Sequence, residues 1–365
     1  MVLRSKAMPI SSQQIRFCQS DDGVRIAYAT SGSGPPLVKA ANWLSHLEFD
    51  AQSPVWVHLL RELSTRHSLV RYDERGCGLS DWNAELSFEA WVDDLETVVQ
   101  ASGVERFPLL GISQGASIAI AYAVRHPERV SHLILHGGYA RGRLKWESKP
   151  TRREESEMMI RLAELGWGQE NPAFRQFFTT QFIPDGTAHQ HQWFNELERI
   201  STSPQNAGRF IRVFNEIDVV PLLARVTCPT LVFHGVRDAR VPFDEGRLMA
   251  SMIPGARFVP LETNNHLLLE TEPAWRRWIE EFRGFVPAAR EVDPAFSALT
   301  PRELELVELI AQGRDNAQIA AHMGVSAKTV RNHITSIFAK LEVENRSQAI
   351  VLARQSGFGR RAPQP

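Results

Sequence analysis

Short apolar or β-branched runs alternate with longer amphipathic stretches from about residue 15 to residue 285. Each short run suits one buried strand, and the longer stretches have the 3.6-residue period of a helix with one buried face. Their alternation predicts a mostly parallel sheet covered by helices, an α/β fold. The predicted strands are Val24–Thr30, Leu37–Ala41, Ser68–Tyr72, Phe107–Gly111, Val130–His136, Thr230–His234 and Arg257–Leu261, and the predicted helices include Glu89–Ala101, Gly115–Arg125 and Pro273–Phe285.

Two interruptions of this pattern define the predicted domains. Residues 140–222 are helical in pattern and rich in Trp and Phe, so we expect a lid inserted over the strand ends. Most of its rings should pack the lid's own core, and the others should line an apolar pocket. Residues 286–297 are rich in Pro and Ala and indicate a short linker. The predicted domains are therefore 1–285 and 298–365.

Composition excludes several classes of protein. No apolar run reaches the roughly 18 residues of a membrane helix, and residues 1–14 lack the apolar segment of a secretory signal. We therefore expect a cytoplasmic protein that contacts no membrane. The cysteines, Cys18, Cys77 and Cys228, form no C-x-x-C pair, so we expect no disulfide, no metal site and no cofactor. The formal net charge of -1 means that any DNA-binding surface must be local.

A G-x-S-x-G motif, Gly111-Ile112-Ser113-Gln114-Gly115, directly follows one predicted strand and directly precedes a helical run. Glycine on both sides lets the backbone turn sharply, and the turn lifts the Ser113 hydroxyl clear of the sheet. We interpret Ser113 as a candidate nucleophile.

An activated serine needs a base and an acid that orients the base. Asp238 follows the strand Thr230–His234, and His266 follows the strand Arg257–Leu261. Taken alone, each is as well explained as an ordinary loop residue. Both nevertheless lie at the carboxyl ends of parallel strands, where such sheets place their ligands. Together they predict a triad with His266 as base and Asp238 as orienting acid.

These residues, with the segment Asp73–Ser80 after a strand, resemble the α/β-hydrolase superfamily over roughly residues 15 to 285. The resemblance implies hydrolysis of an ester, lactone or similar bond, or a relative that keeps the pocket for recognition. It also implies an oxyanion hole made by the Gln114 backbone N–H and a second N–H from Trp43. Asn42 stands where the superfamily usually has glycine, and we expect it to adopt a left-handed backbone. Asn42 and Trp43 are the predicted ligand-pocket residues.

Three helix starts follow the linker. Thr300 is a predicted N-cap with Glu303 as its capping-box partner, and Gly313 ends that helix. A second helix begins at Asp315 and a third at the N-cap Ser326. Helix, short turn and helix is the geometry that presents a helix to a DNA major groove.

The third helix has an apolar stripe that includes Val330 and Ile334, and no acidic residue occurs from Ser326 to Leu341. A cationic helix in a nearly neutral chain attracts phosphate, and residues near its N-terminal end reach base edges. The predicted DNA-binding residues are Thr300, Asn316, Ser326, Lys328, Thr329, Val330, Arg331, Asn332, His333 and Lys340.

The stretch from Leu299 to about Gln355 resembles the LuxR-type helix-turn-helix family. The matching residues are Leu299-Thr300-Pro301-Arg302-Glu303, Ile319-Ala320, Val325-Ser326-Ala327-Lys328-Thr329-Val330, His333 and Ile337-Phe338-Ala339-Lys340-Leu341. The resemblance implies an all-α domain that binds a two-fold operator in double-stranded DNA as a homodimer, with the helix Ser347–Gln355 as a dimer contact.

Three functions fit these observations. The first is a transcription regulator whose hydrolase-like domain senses, and slowly hydrolyses, a small apolar ester, lactone or similar ligand. The second is an active serine hydrolase with an accessory helix-turn-helix domain. The third is a dimerisation scaffold with an empty pocket, against which the retained Ser113, Asp238 and His266 argue.

Overall fold

An eight-stranded sheet is the framework of the first part of the chain. Its order is β1-β2-β4-β3-β5-β6-β7-β8, with β3 to β8 parallel and β1 and β2 antiparallel to their neighbours. The strands are β1 Gln14–Gln19, β2 Arg25–Ser31, β3 Pro36–Lys39, β4 Ser68–Tyr72, β5 Phe107–Ile112, β6 Val130–His136, β7 Thr230–Gly235 and β8 Arg257–Leu261.

The computed structural model describes residues 13–146, 151–286, 296, 298–356 and 358–359. The chain divides into two compact units, Met1–Ala288 and Ala289–Pro365. The limits of the lid and of the linker given by the sequence stay predictions.

Helices cover the sheet, and α5 to α9 fall between β6 and β7, in the region where the sequence predicts an insertion. The helices of this unit are α1 Leu47–Asp50, α2 Val57–Arg66, α3 Phe88–Ser102, α4 Gln114–Arg125, α5 Arg152–Gly166, α6 Ala173–Phe182, α7 Ala188–Ser201, α8 Pro204–Glu216, α9 Val220–Leu223, α10 Phe243–Met252 and α11 Pro273–Phe285. Trp167 and Phe178 of the insertion are fully buried, and Trp167 stacks on Trp43 with ring centroids 5.2 Å apart. Rings of the insertion thus contribute to packing, as large aromatic side chains usually do.

The second unit is helical, with α12 Pro301–Ala311, α13 Asn316–Met323, α14 Ala327–Lys340 and α15 Arg346–Gln355. Thr300 forms the predicted capping box with Glu303, Asp315 forms a second one with Gln318, and the Ser326 side chain accepts the N–H of Thr329. Glu303 joins α12 to α14, because its carboxylate accepts hydrogen bonds from the Lys340 ammonium at 2.7 and 2.8 Å and from the Ser336 hydroxyl at 3.1 Å. The three predicted helix starts are therefore confirmed.

We expect Gly111→Ala to lower the free energy of unfolding by about 2 kcal/mol or more, since overpacking a tight core costs that much. A Cβ at Gly111 would lie 2.6 Å from both Ala116 Cα and Gly115 O, neither of which can rotate away. Gly284→Ala is the matched control, because its Cβ would meet nothing within 4 Å in helix α11. Urea unfolding followed by tryptophan fluorescence should show a loss for the first variant and a small gain for the second. Equal midpoints would contradict the packing argument.

Candidate functional site

The turn between β5 and α4 holds Ser113 in an uncommon backbone conformation, with φ 54° and ψ −127°. Among the described non-glycine residues, only Ser113 and Glu342 have a positive φ. Such a conformation costs energy and persists only where the surroundings impose it. Here the Ser113 N–H donates to the His136 carbonyl at 2.9 Å. A Cβ at Gly115 would lie only 2.5 Å from the Ala41 carbonyl oxygen, so glycine at this position allows the close approach. The turn directs Ser113 to the carboxyl edge of the parallel strands.

Asp238 and His266 meet at the same edge. His266 Nδ1 lies 2.8 Å from Asp238 Oδ2, and both side chains are almost fully buried. Asp238 Oδ1 also accepts the backbone N–H groups of Arg240 and Val241 at 2.8 and 2.9 Å. Burial acts to raise the pKa of Asp238, but the charge and hydrogen bond of His266 outweigh burial and hold that pKa below its usual value. The arrangement suits a carboxylate that orients an imidazole.

The other imidazole nitrogen faces away from Asp238. His266 Nε2 is buried and has no hydrogen-bond partner, and within the described residues no hydrogen bond joins it to Ser113 Oγ. Hydrogen bonds of catalytic groups are often long before substrate binds and tighten in the complex. The structure thus pairs two of the three predicted triad residues and leaves the base nitrogen free.

Two further histidines, which sequence reasoning missed, surround this pair. The His136 Nε2–H donates to the His266 carbonyl at 3.3 Å, and burial followed by the charge of His266 lowers the pKa of His136 to about 3. His234 Nε2 lies 3.1 Å from the Val241 carbonyl and 3.7 Å from Asp238 Oδ2. Both histidines are the last residues of predicted strands, and this position at the carboxyl edge of the sheet could have identified them as site residues from the sequence. Their contacts fix the backbone and the acid on either side of the base, so they are positioning residues.

The loop after β3 meets the serine turn through a side chain. The Trp43 N–H, which the sequence assigned to the oxyanion hole, donates to the Gln114 side-chain carbonyl at 3.0 Å. Gln114 Nε2 in turn donates to the carboxyl of buried Glu74, whose pKa burial raises to about 8. The Gln114 backbone N–H is the first of helix α4 and therefore has no partner inside its helix. Of the two predicted oxyanion-hole donors, the Trp43 N–H is therefore already hydrogen-bonded to a side chain of the protein.

The predictions for Asn42 are wrong in two respects. Its φ is not positive, since it is absent from the left-handed residues of the described chain. It also lines an inner cavity with Lys39, Asp50 and Arg71 rather than the cleft that contains Ser113. The physical reason is Lys39, whose buried ammonium needs an acceptor and donates to Asn42 Oδ1. Burial lowers the pKa of Lys39 to about 8. Asn42 therefore stabilises the loop after β3 from the side of the inner cavity, through its hydrogen bond with Lys39.

The cleft beside Ser113 holds about 540 Å³ of space, including its open mouth. Trp43 lines it as predicted, and the walls combine aromatic and apolar side chains with a few polar groups. The lining residues are Trp43, Ser113, Gln114, Tyr139, Arg143, Trp146, Met159, Phe182, Ile211, Phe214, Asn215, Arg240 and Val241.

Helix α14 presents the predicted nucleic-acid face. Lys328, Arg331 and Asn332 are exposed on it, Ser326 is exposed at its start, and Thr329 and His333 are half-buried. Val330 is a correction: it is fully buried in the core of the helical unit, so its side chain packs and does not reach DNA. Its apolar spacing with Ile334 already indicated this position.

Three other predicted DNA contacts have partners within the unit. The Thr300 hydroxyl belongs to the capping box with Glu303, and Lys340 pairs with the same carboxylate. The Asn316 side-chain carbonyl accepts from Arg346 Nη1 at 3.0 Å. The charge of Lys340 is thus partly neutralised by Glu303, whereas Lys328 and Arg331 are exposed on α14 and have no carboxylate partner among the described residues.

Comparison with known proteins follows the same division of the chain. Residues 49–190 match the family model described as alpha/beta hydrolase fold, and residues 297–353 match that described as bacterial regulatory proteins, luxR family. The chain is 28% identical over 266 residues to the AB hydrolase superfamily protein YisY of Bacillus subtilis (strain 168), covering 68% of this chain and 91% of that protein. It is 25% identical over 248 residues to the putative carbamate hydrolase RutD of Klebsiella pneumoniae (strain 342), and the match covers 65% of this chain and 89% of RutD. The solved esterase EaEST of Exiguobacterium antarcticum is 24% identical with a TM-score of 0.61, covering 74% of this chain and 99% of the esterase.

Fold and site therefore define a chain in which an α/β-hydrolase-fold domain precedes a helical, helix-turn-helix domain. The match to the luxR family of bacterial regulatory proteins falls within that second domain, over residues 297–353. The predicted fold class and the predicted pairing of these two families are confirmed. Among the described residues, none of the helices combines the length and the apolar character that a membrane span requires.

We expect a fluorophosphonate probe to label the full-length protein and Ser113→Ala to abolish the labelling. Asp238→Asn should slow labelling about a thousandfold or more, because it removes the carboxylate that orients His266. Asp244→Asn is the control, since Asp244 is exposed on α10 and contacts Arg247 instead. Labelling rates measured by gel fluorescence decide between these outcomes. A wild-type protein that never reacts, or an Asp238→Asn variant as fast as the control, would contradict the triad.

Proposed function

We propose that this protein is a transcription regulator that responds to a small molecule bound beside Ser113. One observation carries the proposal: a hydrolase-type site with an Asp238–His266 hydrogen bond stands in the same chain as a luxR-family domain, and its own Gln114 occupies an oxyanion donor. The ligand is an ester, lactone or similar compound, and the partner is double-stranded DNA. We propose that the chain acts as a homodimer through α15 on a two-fold operator.

Gln114 favours sensing over rapid turnover. A substrate carbonyl that enters the oxyanion hole has to displace the Gln114 side chain from the Trp43 N–H before both donors can stabilise the developing charge. Each preorganised donor contributes about a hundredfold to a thousandfold in rate, so an occupied one slows the chemical step. A slow step lengthens the life of the bound ligand or of an acyl group on Ser113. Such a long-lived state suits a signal.

The exposed face of α14 supports the DNA-binding half. Lys328 and Arg331 supply positive charge near the amino end of the helix, where a recognition helix enters the major groove. Binding should therefore weaken as salt rises, since phosphate contacts release condensed cations. Loss of Arg331 should weaken binding to every DNA sequence or relax readout at one base pair, depending on whether it contacts phosphate or base.

A second candidate function is serine hydrolysis of the same ligand class. It is favoured by the 2.8 Å contact between Asp238 and His266 and by relatives whose names describe hydrolases, RutD being a putative carbamate hydrolase. The two functions are compatible, because an acyl-Ser113 intermediate can itself be the signal.

The regulator proposal predicts that pocket ligands change DNA affinity. An operator is first selected from random duplexes with the full-length protein, and gel shifts then measure its Kd with and without a panel of p-nitrophenyl esters and acyl lactones. At least one ligand should change the Kd about fivefold or more, the usual lower range of coupling between two sites. Ser113→Ala tests whether acylation is needed, and Arg331→Ala controls for specific DNA contact. A Kd indifferent to every compound that occupies the cleft would contradict the proposal.

Freeing the oxyanion donor should accelerate hydrolysis. Gln114→Met keeps the length of the side chain but cannot accept from the Trp43 N–H, so we expect the kcat for p-nitrophenyl acetate to rise about tenfold or more. Gln100→Met on the exposed face of α3 is the matched control and should leave the kcat unchanged. A Gln114→Met variant that is folded but no faster than the control would show that Gln114 does not restrain the site.

A further inference from the structure

Two guanidinium groups line the cleft that contains Ser113. Arg240 follows Asp238 by two residues, and its backbone N–H donates to Asp238 Oδ1 at 2.8 Å, which ties its position to the orienting acid. Arg143 lies in a short 3-10 helix, Arg143–Lys145, after β6. The described lining of the cleft contains no Asp or Glu side chain. Positive charge is thus concentrated where a ligand would lie.

Arg240 has no carboxylate at ion-pair distance in the described part of the chain. Its guanidinium donates to the Gln181 side-chain carbonyl at 3.0 Å and lies over the Phe182 ring, 5.4 Å from its centroid. Burial and then the repulsion of Arg143 lower the pKa of Arg240 to about 10, while Tyr139, Asp238 and Glu198 act more weakly in the opposite direction. The group remains a cation at neutral pH.

The guanidinium of Arg143 uses only part of its hydrogen-bonding capacity within the protein. One of its terminal nitrogens pairs with Glu155 at 3.2 Å, but its Nε is buried without a hydrogen-bond partner. The guanidinium also lies over the Trp146 ring at 5.8 Å. Arg143 therefore keeps donor capacity that the protein does not use, and the residue lines the cleft.

Two other buried guanidinium groups of this unit each donate at least three hydrogen bonds. Arg75 donates to Asp22 and to both oxygens of Asp94 at 2.6 to 2.8 Å. Arg175 donates to three backbone carbonyl groups, those of Trp167, Gln169 and Asn195. A desolvated cation that is neither paired with an anion nor well supplied with hydrogen-bond acceptors is costly. Arg240 is the contrasting case, and the missing anion is best supplied from the cleft.

We propose that the ligand of this cleft carries a carboxylate, which Arg240 binds with help from Arg143 while the ligand's reactive carbonyl faces Ser113. The proposal rests on the proposed function in one respect, that the cleft is a small-molecule site. It replaces the small apolar ligand expected from the sequence with a small acid ester or lactone. Arginine suits this role because its planar fork matches a carboxylate through two parallel hydrogen bonds. The aromatic walls, Trp43, Trp146, Phe182 and Phe214, would hold the apolar remainder.

The test compares two esters that differ in one charged group. Mono-p-nitrophenyl succinate and p-nitrophenyl butyrate have acyl chains of equal length, but only the first ends in a carboxylate. Their binding to the full-length Ser113→Ala variant is measured by quenching of tryptophan fluorescence. We expect the succinate ester to bind about tenfold to a hundredfold more tightly, the usual effect of hydrogen bonds to a charged group. Arg240→Gln in this background should remove most of that preference, and Arg143→Gln should remove part of it.

The controls separate charge recognition from loss of structure and from the regulatory proposal. Arg237→Gln, on the same turn but exposed and paired with Glu262, should leave both affinities unchanged. Unchanged binding of the butyrate ester to Arg240→Gln shows that the cleft remains folded. Equal affinity for the two esters, no binding of the succinate ester, or a preference that survives Arg240→Gln with Arg143→Gln would overturn the inference. A retained preference without any effect on DNA affinity would leave the inference standing and refute the regulator alone.

Discussion

The sharp turn at Ser113 is the constraint on which the rest of the site depends. The turn needs glycine on both sides, because a Cβ at Gly111 would lie 2.6 Å from the Gly115 carbonyl oxygen and a Cβ at Gly115 would lie 2.5 Å from the Ala41 carbonyl oxygen. This close approach brings the loop after β3 against the start of α4, so that Gln114 can reach the Trp43 N–H. The same geometry that presents a nucleophile therefore also lets a neighbouring side chain occupy an oxyanion donor.

Charge explains what the cleft is suited to bind. Inside the fold, Arg75 and Arg175 are surrounded by acceptors, whereas Arg240 at the cleft has one amide oxygen and an aromatic ring. Because a low-dielectric wall strengthens electrostatic attraction, an incoming carboxylate would gain more there than at an exposed arginine. The reactive serine and the anion site are joined through Asp238, whose carboxylate orients His266 and accepts the Arg240 backbone N–H.

Features set by local sequence were predictable, and features set by distant contacts were not. The predicted strands Ser68–Tyr72, Val130–His136 and Arg257–Leu261 coincide with β4, β6 and β8, and capping residues fixed the starts of α12 to α14. The polar edge strand β1 was missed because its exposed side chains give no apolar run. The sequence placed Asn42 in the ligand pocket because it does not show that buried Lys39 donates to the Asn42 side chain. It also does not show that Arg143 and Arg240, which are distant in the chain, line the same cleft once the insertion has folded.

A crystal structure of the full-length protein with a phosphonate on Ser113 would show directly whether Gln114 blocks the oxyanion hole, since the phosphoryl oxygen stands in for the oxyanion of a substrate. If the Gln114 side chain blocks the oxyanion hole in the free protein, it will have moved away from the Trp43 N–H. The phosphoryl oxygen will then accept hydrogen bonds from the Trp43 and Gln114 backbone N–H groups at about 3 Å. A phosphonate bound while Gln114 Oε1 still accepts from the Trp43 N–H would show that Gln114 does not restrain the site.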